Sequence, residues 1–395
     1  MRSSKIYFVL RQIYRIIVLN FVNILTTLIP KDKKLIIFGG WNGEKFIDNS
    51  KYLFIYFLSK NDGFKKIWIT KNRNLCINLN SEGYKTLYAY SIKGIIIQAQ
   101  ASVVVFNQSV EADFISCLIK LNNLRIQLWH GTPIKKIGYS DRYNIYTKRL
   151  MSISNILIPF YNDRLDMCIA IGDFDKQIYK NAFNVEEKNI VITGYPRNDI
   201  LFCENKIRNS TNLRILYLPT LRIDFSELLK YILNDVIIDE IDQLLIENEC
   251  ELYIKLHPAQ IKQNYFTNYI NGKKKIKFIF QDNQMDIYED LLSYDILITD
   301  ISGVYFDLLL TQIKIYTYFP DIEMYLSNER DIYYNVEEIS VSKIYNKFNN
   351  LIKDCINNIY DFDRHNQLKQ KFHKFTDGKS CQRVYEEILN KISSE

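Results

Sequence analysis

Short, largely apolar runs alternate with longer amphipathic stretches along most of the chain. Lys33–Gly40 carries Leu35-Ile36-Ile37-Phe38 into a glycine turn, and Trp41-Asn42-Gly43 leads on to Asp48-Asn49-Ser50 and an amphipathic helix, Lys51–Lys60. Apolar runs recur at Lys66–Thr70, Ser102–Phe106, Arg125–Trp129, Met167–Ala170 and Ile190–Gly194. Runs of this length, largely apolar and separated by helical patterns, predict the strands of a parallel doubly wound sheet. The rhythm then restarts. Leu213–Leu218, Glu251–Leu256, Lys277–Phe280, Asp295–Thr299 and Lys314–Phe319 read as strands, and helices fill most of the remainder, ending with Cys381–Ile392. The expected fold class is α/β, with two doubly wound Rossmann-like domains of roughly five to six strands each. The boundaries predicted are a segment 1–30, an N-terminal domain 31–204, a C-terminal domain 205–376 and a closing helix 377–395, with polar Asn205–Asn212 as the linker. A chain of 395 residues is long enough for two cores.

The first thirty residues need separate treatment. Lys5–Pro30 is largely apolar but is interrupted by Arg11, Arg15, Asn20 and Asn23. Its clean part, Ile16–Pro30, is shorter than the roughly 20 residues of a spanning helix. No small-residue cleavage site follows, so a signal peptide is not expected. Arg2, Lys5, Arg11 and Arg15 among Ile, Leu and Phe fit an N-terminal amphipathic helix lying at a membrane surface; the alternative is a first helix packed on its own domain. Net charge is 51 − 45 = +6. That excess suits an anionic membrane surface or phosphorylated substrates and falls short of a nucleic-acid signature, so no nucleic-acid partner is expected. The seven cysteines are scattered without a CxxC pair and read as small hydrophobes in a reducing cytoplasm. Asp141–Leu157, with Arg142, Lys148 and Arg149, reads as a solvated helix face, or more sharply as a docking surface for lipid or a polyanionic acceptor.

Candidate chemistry gathers at strand ends. Arg125–Trp129 stops at His130-Gly131, and Thr132-Pro133 looks like an N-cap followed by proline at the first helical position. A histidine at the carboxyl end of a parallel strand, beside a glycine and ahead of Lys135 and Lys136, lies where open α/β sheets bind ligands. Taken alone it reads more readily as a strand-end histidine satisfied by a backbone carbonyl, and the rest of the chain has to move that reading. Arg222, His257 and Ser302 also fall just past strand ends, and in two facing domains those ends would line one cleft. His365 and His373 lie in polar C-terminal sequence and are expected to be solvated. Asp300-Ile301-Ser302-Gly303 and Asp377-Gly378-Lys379-Ser380 offer backbone N–H groups at helix N-termini as anion sites, with plain capping as the alternative. The glycines form no GxGxxG, so a nicotinamide has little support. With no DxD-type cluster, no metal ligand is assigned. A diphosphate would be held by amides, Arg222, Lys255 and Lys379.

In this order the motifs resemble the CDP-glycerol glycerophosphotransferases of teichoic acid and capsule synthesis, a GT-B-like, membrane-associated family. The matching stretches are the Gly43 to Asp48-Asn49 loop, Trp129-His130-Gly131-Thr132-Pro133-Ile134-Lys135, Gly194-Tyr195-Pro196-Arg197-Asn198-Asp199 and Leu218-Pro219-Thr220-Leu221-Arg222. Lys255-Leu256-His257-Pro258, Asp295–Asp307 and Asp377-Gly378-Lys379-Ser380 complete the set, which extends from near Phe38 to the C-terminus. Two of these stretches depart from the family pattern. Leu221 replaces an aromatic, with Ile223 where an acid would stand and Asp224 one place later. Gly303 replaces a hydroxyl residue.

The resemblance implies transfer of a polyol phosphate, glycerol phosphate first, from CDP-glycerol to a hydroxyl of a lipid-linked saccharide or growing polymer, with release of CMP. It implies that both His130 and His257 are essential, and His130 is taken as the general base because a near-neutral pKa suits that task. On the donor side stand Thr220, Arg222, Lys255, His257, Asp300, Ser302, Gly303, Lys379 and Ser380; on the acceptor side, Gly131, Thr132, Lys135, Asp48 and Asn49. No cofactor is required, and the enzyme is expected to sit peripherally on the inner face of the bacterial cell membrane. The alternatives are a CDP-ribitol donor, a GT-B glycosyltransferase using a nucleotide sugar, and a non-catalytic membrane-surface adaptor. The product separates them: phosphodiester and CMP, glycosidic bond and UDP or GDP, or none.

Overall fold

The seven strands of the first sheet begin at β1, Leu35–Phe38, whose four residues are all buried. The computed structural model describes residues 2–141, 164–203, 212–220, 222, 235–256, 272–279, 286–300, 302–328 and 331–394. β2 (Lys65–Thr70), β3 (Thr86–Tyr88), β4 (Val103–Phe106), β5 (Leu124–Gln127), β6 (Met167–Ala170) and β7 (Ile190–Ile192) complete the sheet, in the order β3-β2-β1-β4-β5-β6-β7. Every pairing is parallel, so each connection must cross over a face, and helices such as Asp48–Leu58 and Ile92–Gln100 do so. Leu35, Ile37, Ile69, Val104 and Phe106 share one core with Phe114 and Ile119. β3 was not anticipated: three residues, only one fully buried, give no periodic signal.

A second sheet is built the same way from β8 (Leu213–Leu218), β9 (Cys250–Ile254), β10 (Ile276–Phe278), β11 (Ile296–Thr299), β12 (Lys314–Tyr318) and β13 (Ile344–Tyr345), ordered β10-β9-β8-β11-β12-β13. Ile215, Leu252, Ile296, Ile298 and Tyr316 pack there with Ile241, Leu245 and Leu351. The chain divides into two compact units. The first comprises Met1–His130, Gly138–Arg197 and Lys379–Glu395, and the second Gly131–Ile137 and Asn198–Gly378. The changeover at Arg197 precedes the expected break at 204/205, and the closing helix, Ser380–Ser393, is integral to the first unit. There Tyr385 packs edge-on against Phe57, at 4.8 Å between ring centres, and Arg383 Nε donates to the Thr193 carbonyl at 2.8 Å.

Three expectations are corrected. No helix starts at Thr132-Pro133. The backbone groups a helix would use go instead to a distant segment: Lys136 N–H donates to Asp331 O and Tyr333 N–H to Ile134 O, both at 2.8 Å, around an antiparallel bridge between Lys135 and Ile332. His365 and His373 are not solvated but only 2% and 6% exposed. His365 shares the inward side of helix Phe362–Phe372 with Leu368 and Phe372. Its Nε2 donates to Leu309 O and that of His373 to Phe306 O, at 3.0 and 2.8 Å, which satisfies carbonyls at the end of the short helix Val304–Leu308. Burial holds both pKa values below the ordinary histidine range.

The N-terminal segment forms one helix, Arg2–Thr27. Ile16, Leu19 and Val22 pack on Cys117 and Leu118, and Asn23 Nδ2 donates to Cys117 O at 2.9 Å. No helix among the described residues is long and apolar enough to cross a membrane. The Asp141–Leu157 expectation falls almost wholly in 142–163, outside the described residues, as does most of the predicted linker.

Ile37 lies at the centre of the first sheet with no exposed surface. Ile37→Ala should lower unfolding stability by about 2–5 kcal/mol, read from the denaturant midpoint at unchanged slope.

Candidate active site

Sheet order alone marks two places. In the first unit the order reverses between β1 and β4, and in the second between β8 and β11. Loops leaving the carboxyl ends of such strands diverge and leave room for a ligand.

In the first unit these loops converge on His130. β5 ends at Gln127; Trp129 then takes a left-handed φ of 53°, and Gly131 follows at 122°. Asn49, at the start of helix Asp48–Leu58, holds this turn: its Nδ2 donates to the carbonyls of Leu128 (3.2 Å) and Trp129 (3.0 Å). Its Oδ1 accepts the N–H of Arg197 at 3.1 Å, which brings in the loop after β7. Arg197 Nη1 donates to Asp48 Oδ1 and to the His130 carbonyl, each at 2.9 Å. Trp41 Nε1 donates to Asp48 Oδ2 at 3.1 Å. The imidazole lies against the Trp129 ring, 4.0 Å between centres, with Trp41 at 6.2 Å. Four of the seven non-glycine residues with left-handed φ among the described residues, Trp41, Asn42, Asp48 and Trp129, belong to this cluster. Such concentration of backbone strain is a mark of functional sites.

Burial pushes the His130 pKa below its ordinary value; Asp48 opposes this and Arg197 reinforces it. At neutral pH the ring is therefore neutral and able to take a proton. Its Nδ1 is buried and has no hydrogen-bond partner among the described residues. Behind it, Asp113 accepts the backbone N–H groups of Asn42, Asn107 and Gln108, and burial raises its pKa to about 6.

In the second unit Thr220 and Arg222 follow β8, and Asp300 and Ser302 follow β11. Thr220 donates to Asp300 through both N–H and Oγ1. Arg222 pairs with Asp300 through Nη2 at 2.8 Å and with Asp321 through Nε at 2.7 Å; the three side chains are 1–3% exposed. The guanidinium lies 4.8 Å from the Tyr325 ring, and Lys135 reaches the same ring at 5.5 Å. Arg222 and Asp300 thus hold each other. A Cβ on Gly303 would come within 3.1 Å of the Thr132 carbonyl, so that close approach accompanies the missing hydroxyl side chain.

The predicted residues separate between the units. His130, Asp48, Asn49, Lys379 and Ser380 belong to the first; Gly131, Thr132, Lys135, Thr220, Arg222, Lys255, Asp300, Ser302 and Gly303 to the second. His257 lies outside the described residues. Ser380 opens the closing helix beside Gly194, where a Cβ would meet Ser380 Oγ at 2.4 Å and φ is +80°. Glycine is required there on both counts. Arg197 and Trp41 were given no role from the sequence. The available signal was that Gly194 and Pro196 make a tight turn aiming the next residue.

The family model of CDP-glycerol:poly(glycerophosphate) glycerophosphotransferases matches residues 21–390. The chain belongs to this family. It is similar to a teichoic acid poly(glycerol phosphate) polymerase of Bacillus spizizenii, 28% identical over 92% of this chain and 93% of that protein. It also resembles a teichoic acid glycerol-phosphate transferase of Staphylococcus aureus, 26% identical over 91% and 93%. Among solved structures, the wall teichoic acid polymerase TagF superposes over 100% of this chain and 99% of that one, with a TM-score of 0.74 at 22% identity. The fold of this glycerophosphotransferase is GT-B-like, as the resemblance implied.

The buried triad yields a stability prediction. Asp321→Ala leaves the Arg222 charge with one carboxylate and should cost about 3–5 kcal/mol in chemical denaturation, with Thr220 and Asp300 still paired.

Proposed function

We propose that this glycerophosphotransferase moves glycerol phosphate from CDP-glycerol to a hydroxyl of a lipid-linked saccharide or growing teichoic acid-type polymer. Family membership supports the donor, and a structure of TagF, TM-score 0.73 and 21% identity, was obtained after soaking with CDPG. The observation that carries the mechanism is the half-buried imidazole of His130, just past the end of β5 and next to the switch point between β1 and β4, with its pKa lowered by desolvation. The acceptor hydroxyl loses its proton to His130 as its oxygen attacks the distal phosphorus of the donor. A new phosphodiester bond forms, the P–O bond to the bridging oxygen breaks, and CMP leaves with that oxygen. A base of this kind contributes typically 10²–10⁴-fold. His257, Lys255, Ser302, Lys379 and Ser380 remain the proposed holders of the diphosphate. Arg222 acts by fixing Asp300 and the Thr220 turn beneath it.

Membrane attachment belongs to the same reading. Along helix Arg2–Thr27 and one residue past it, the side away from Cys117 carries Tyr14, Ile17, Phe21, Ile24 and Leu28, each exposed by 60% or more. Lys31, Lys33 and Lys34 follow directly. An apolar stripe ending in lysines fits a bilayer with anionic headgroups, where a lipid-linked acceptor is found.

Two experiments test these statements. CMP release from CDP-glycerol should depend on added lipid-linked disaccharide and fall by about 10²–10⁴-fold in His130→Ala; undiminished turnover rejects His130 as base. In the parent, kcat/KM should stay level through neutral pH and fall only below the ordinary histidine range, as the imidazole takes up a proton. Release from CDP-ribitol in place of CDP-glycerol would reassign the polyol. Separately, Ile17→Glu/Phe21→Glu should lose flotation with phosphatidylglycerol vesicles while keeping its melting temperature. Unchanged flotation would remove this helix as the attachment.

A further inference from the structure

We propose that Arg197 is a positioning residue for His130, clamping the backbone that carries the imidazole and, with Asp48, setting the charge around it. This rests on the reading of His130 as the base.

One nitrogen makes the connection. Nη1 of Arg197 has two N–H bonds, and each finds an acceptor at 2.9 Å: the Asp48 carboxylate and the His130 carbonyl. Both charged side chains are about 5% exposed or less, so the pair acts in a poorly screened setting. The Arg197 backbone is fixed as well, by Asn49, the residue that also holds the carbonyls of Leu128 and Trp129. Thus the loop after β7, the start of helix Asp48–Leu58 and the turn after β5 share one polar knot, and the His130 imidazole is seated on it through its backbone carbonyl. A knot serving packing alone has no need of a charge pair beside a titratable ring; replacing such pairs by apolar groups is commonly neutral or stabilising.

The charged groups bearing on the ring are Asp48 and Arg197, with the Asn107 backbone adding a smaller contribution. They pull in opposite directions. Removing the guanidinium leaves the carboxylate unopposed and favours the imidazolium; removing the carboxylate does the reverse. Lysine keeps the charge but lacks the planar fork.

The full-length protein, labelled with 13C-histidine, carries only four histidines, so the His130 resonance is assigned by its loss in His130→Asn. Its titration midpoint should move up in Arg197→Met and down in Asp48→Asn, and stay near the parent in Arg197→Lys. With CDP-glycerol and lipid-linked disaccharide, Arg197→Lys should lower kcat by about 10²-fold with little change in donor KM, the cost of misaiming a reacting group. If Arg197→Met does not fold, Asp48→Asn carries the test alone, since asparagine has the same shape and its one oxygen can still accept from Arg197, with the Trp41 bond given up. A midpoint unmoved in the folded variants, or full kcat in Arg197→Lys, overturns the proposal. Turnover retained in His130→Ala would instead remove the base assignment, while the titration would still report whether the pair governs the ring.

Discussion

A parallel sheet buried on both faces leaves its carboxyl ends with a problem: beyond the last ladder bond, buried backbone carbonyls still need donors. In the first unit Asn49 meets that need. One side-chain amide serves two carbonyls past β5 and one N–H past β7. The left-handed turn at Trp129, the outward step to His130 and the seat of Arg197 all depend on it. Asp48 alongside is itself held in a left-handed conformation. The first turn of the helix is therefore spent on fastening neighbouring loops.

The second unit closes its ends differently. Charge does what an amide does in the first: Asp300 holds Thr220, and Arg222 holds Asp300 and Asp321 under two aromatic rings. A guanidinium so fully committed spends its donors inside the unit, on Asp300, Asp321 and the Thr220 carbonyl.

Much of this was legible in the sequence. Apolar runs such as Leu213–Leu218 and Met167–Ala170 became strands with the same ends, because a mostly apolar run of that length, entered from a polar residue, has clear limits. The strand-end placement of His130, Arg222 and Ser302 followed from that. What escaped was non-local. Thr132-Pro133 has the local marks of a helix start, yet its backbone partners lie about two hundred positions away at Asp331 and Tyr333. Local signals compete poorly with such pairing. His365 and His373 sit among charges, but His365 falls on the inward side of a helix whose period the polar composition hid, and His373 follows directly at its buried end. Arg197 had no signal of its own; its role comes from where a glycine turn delivers it.

The closing helix has a consequence for how the protein is made. Ser380–Ser393 belongs to the unit that contains residues 1–130, yet every residue of the second unit is synthesised before it. The hydrophobic seat around Phe57 and the open Thr193 carbonyl must wait through that interval without their partners Tyr385 and Arg383. On the ribosome the second unit is thus free to complete its core first, and the first unit, begun earliest, is finished latest. A nascent chain halted before residue 380 would present an unfilled apolar groove, the kind of surface that chaperones hold and that aggregation exploits.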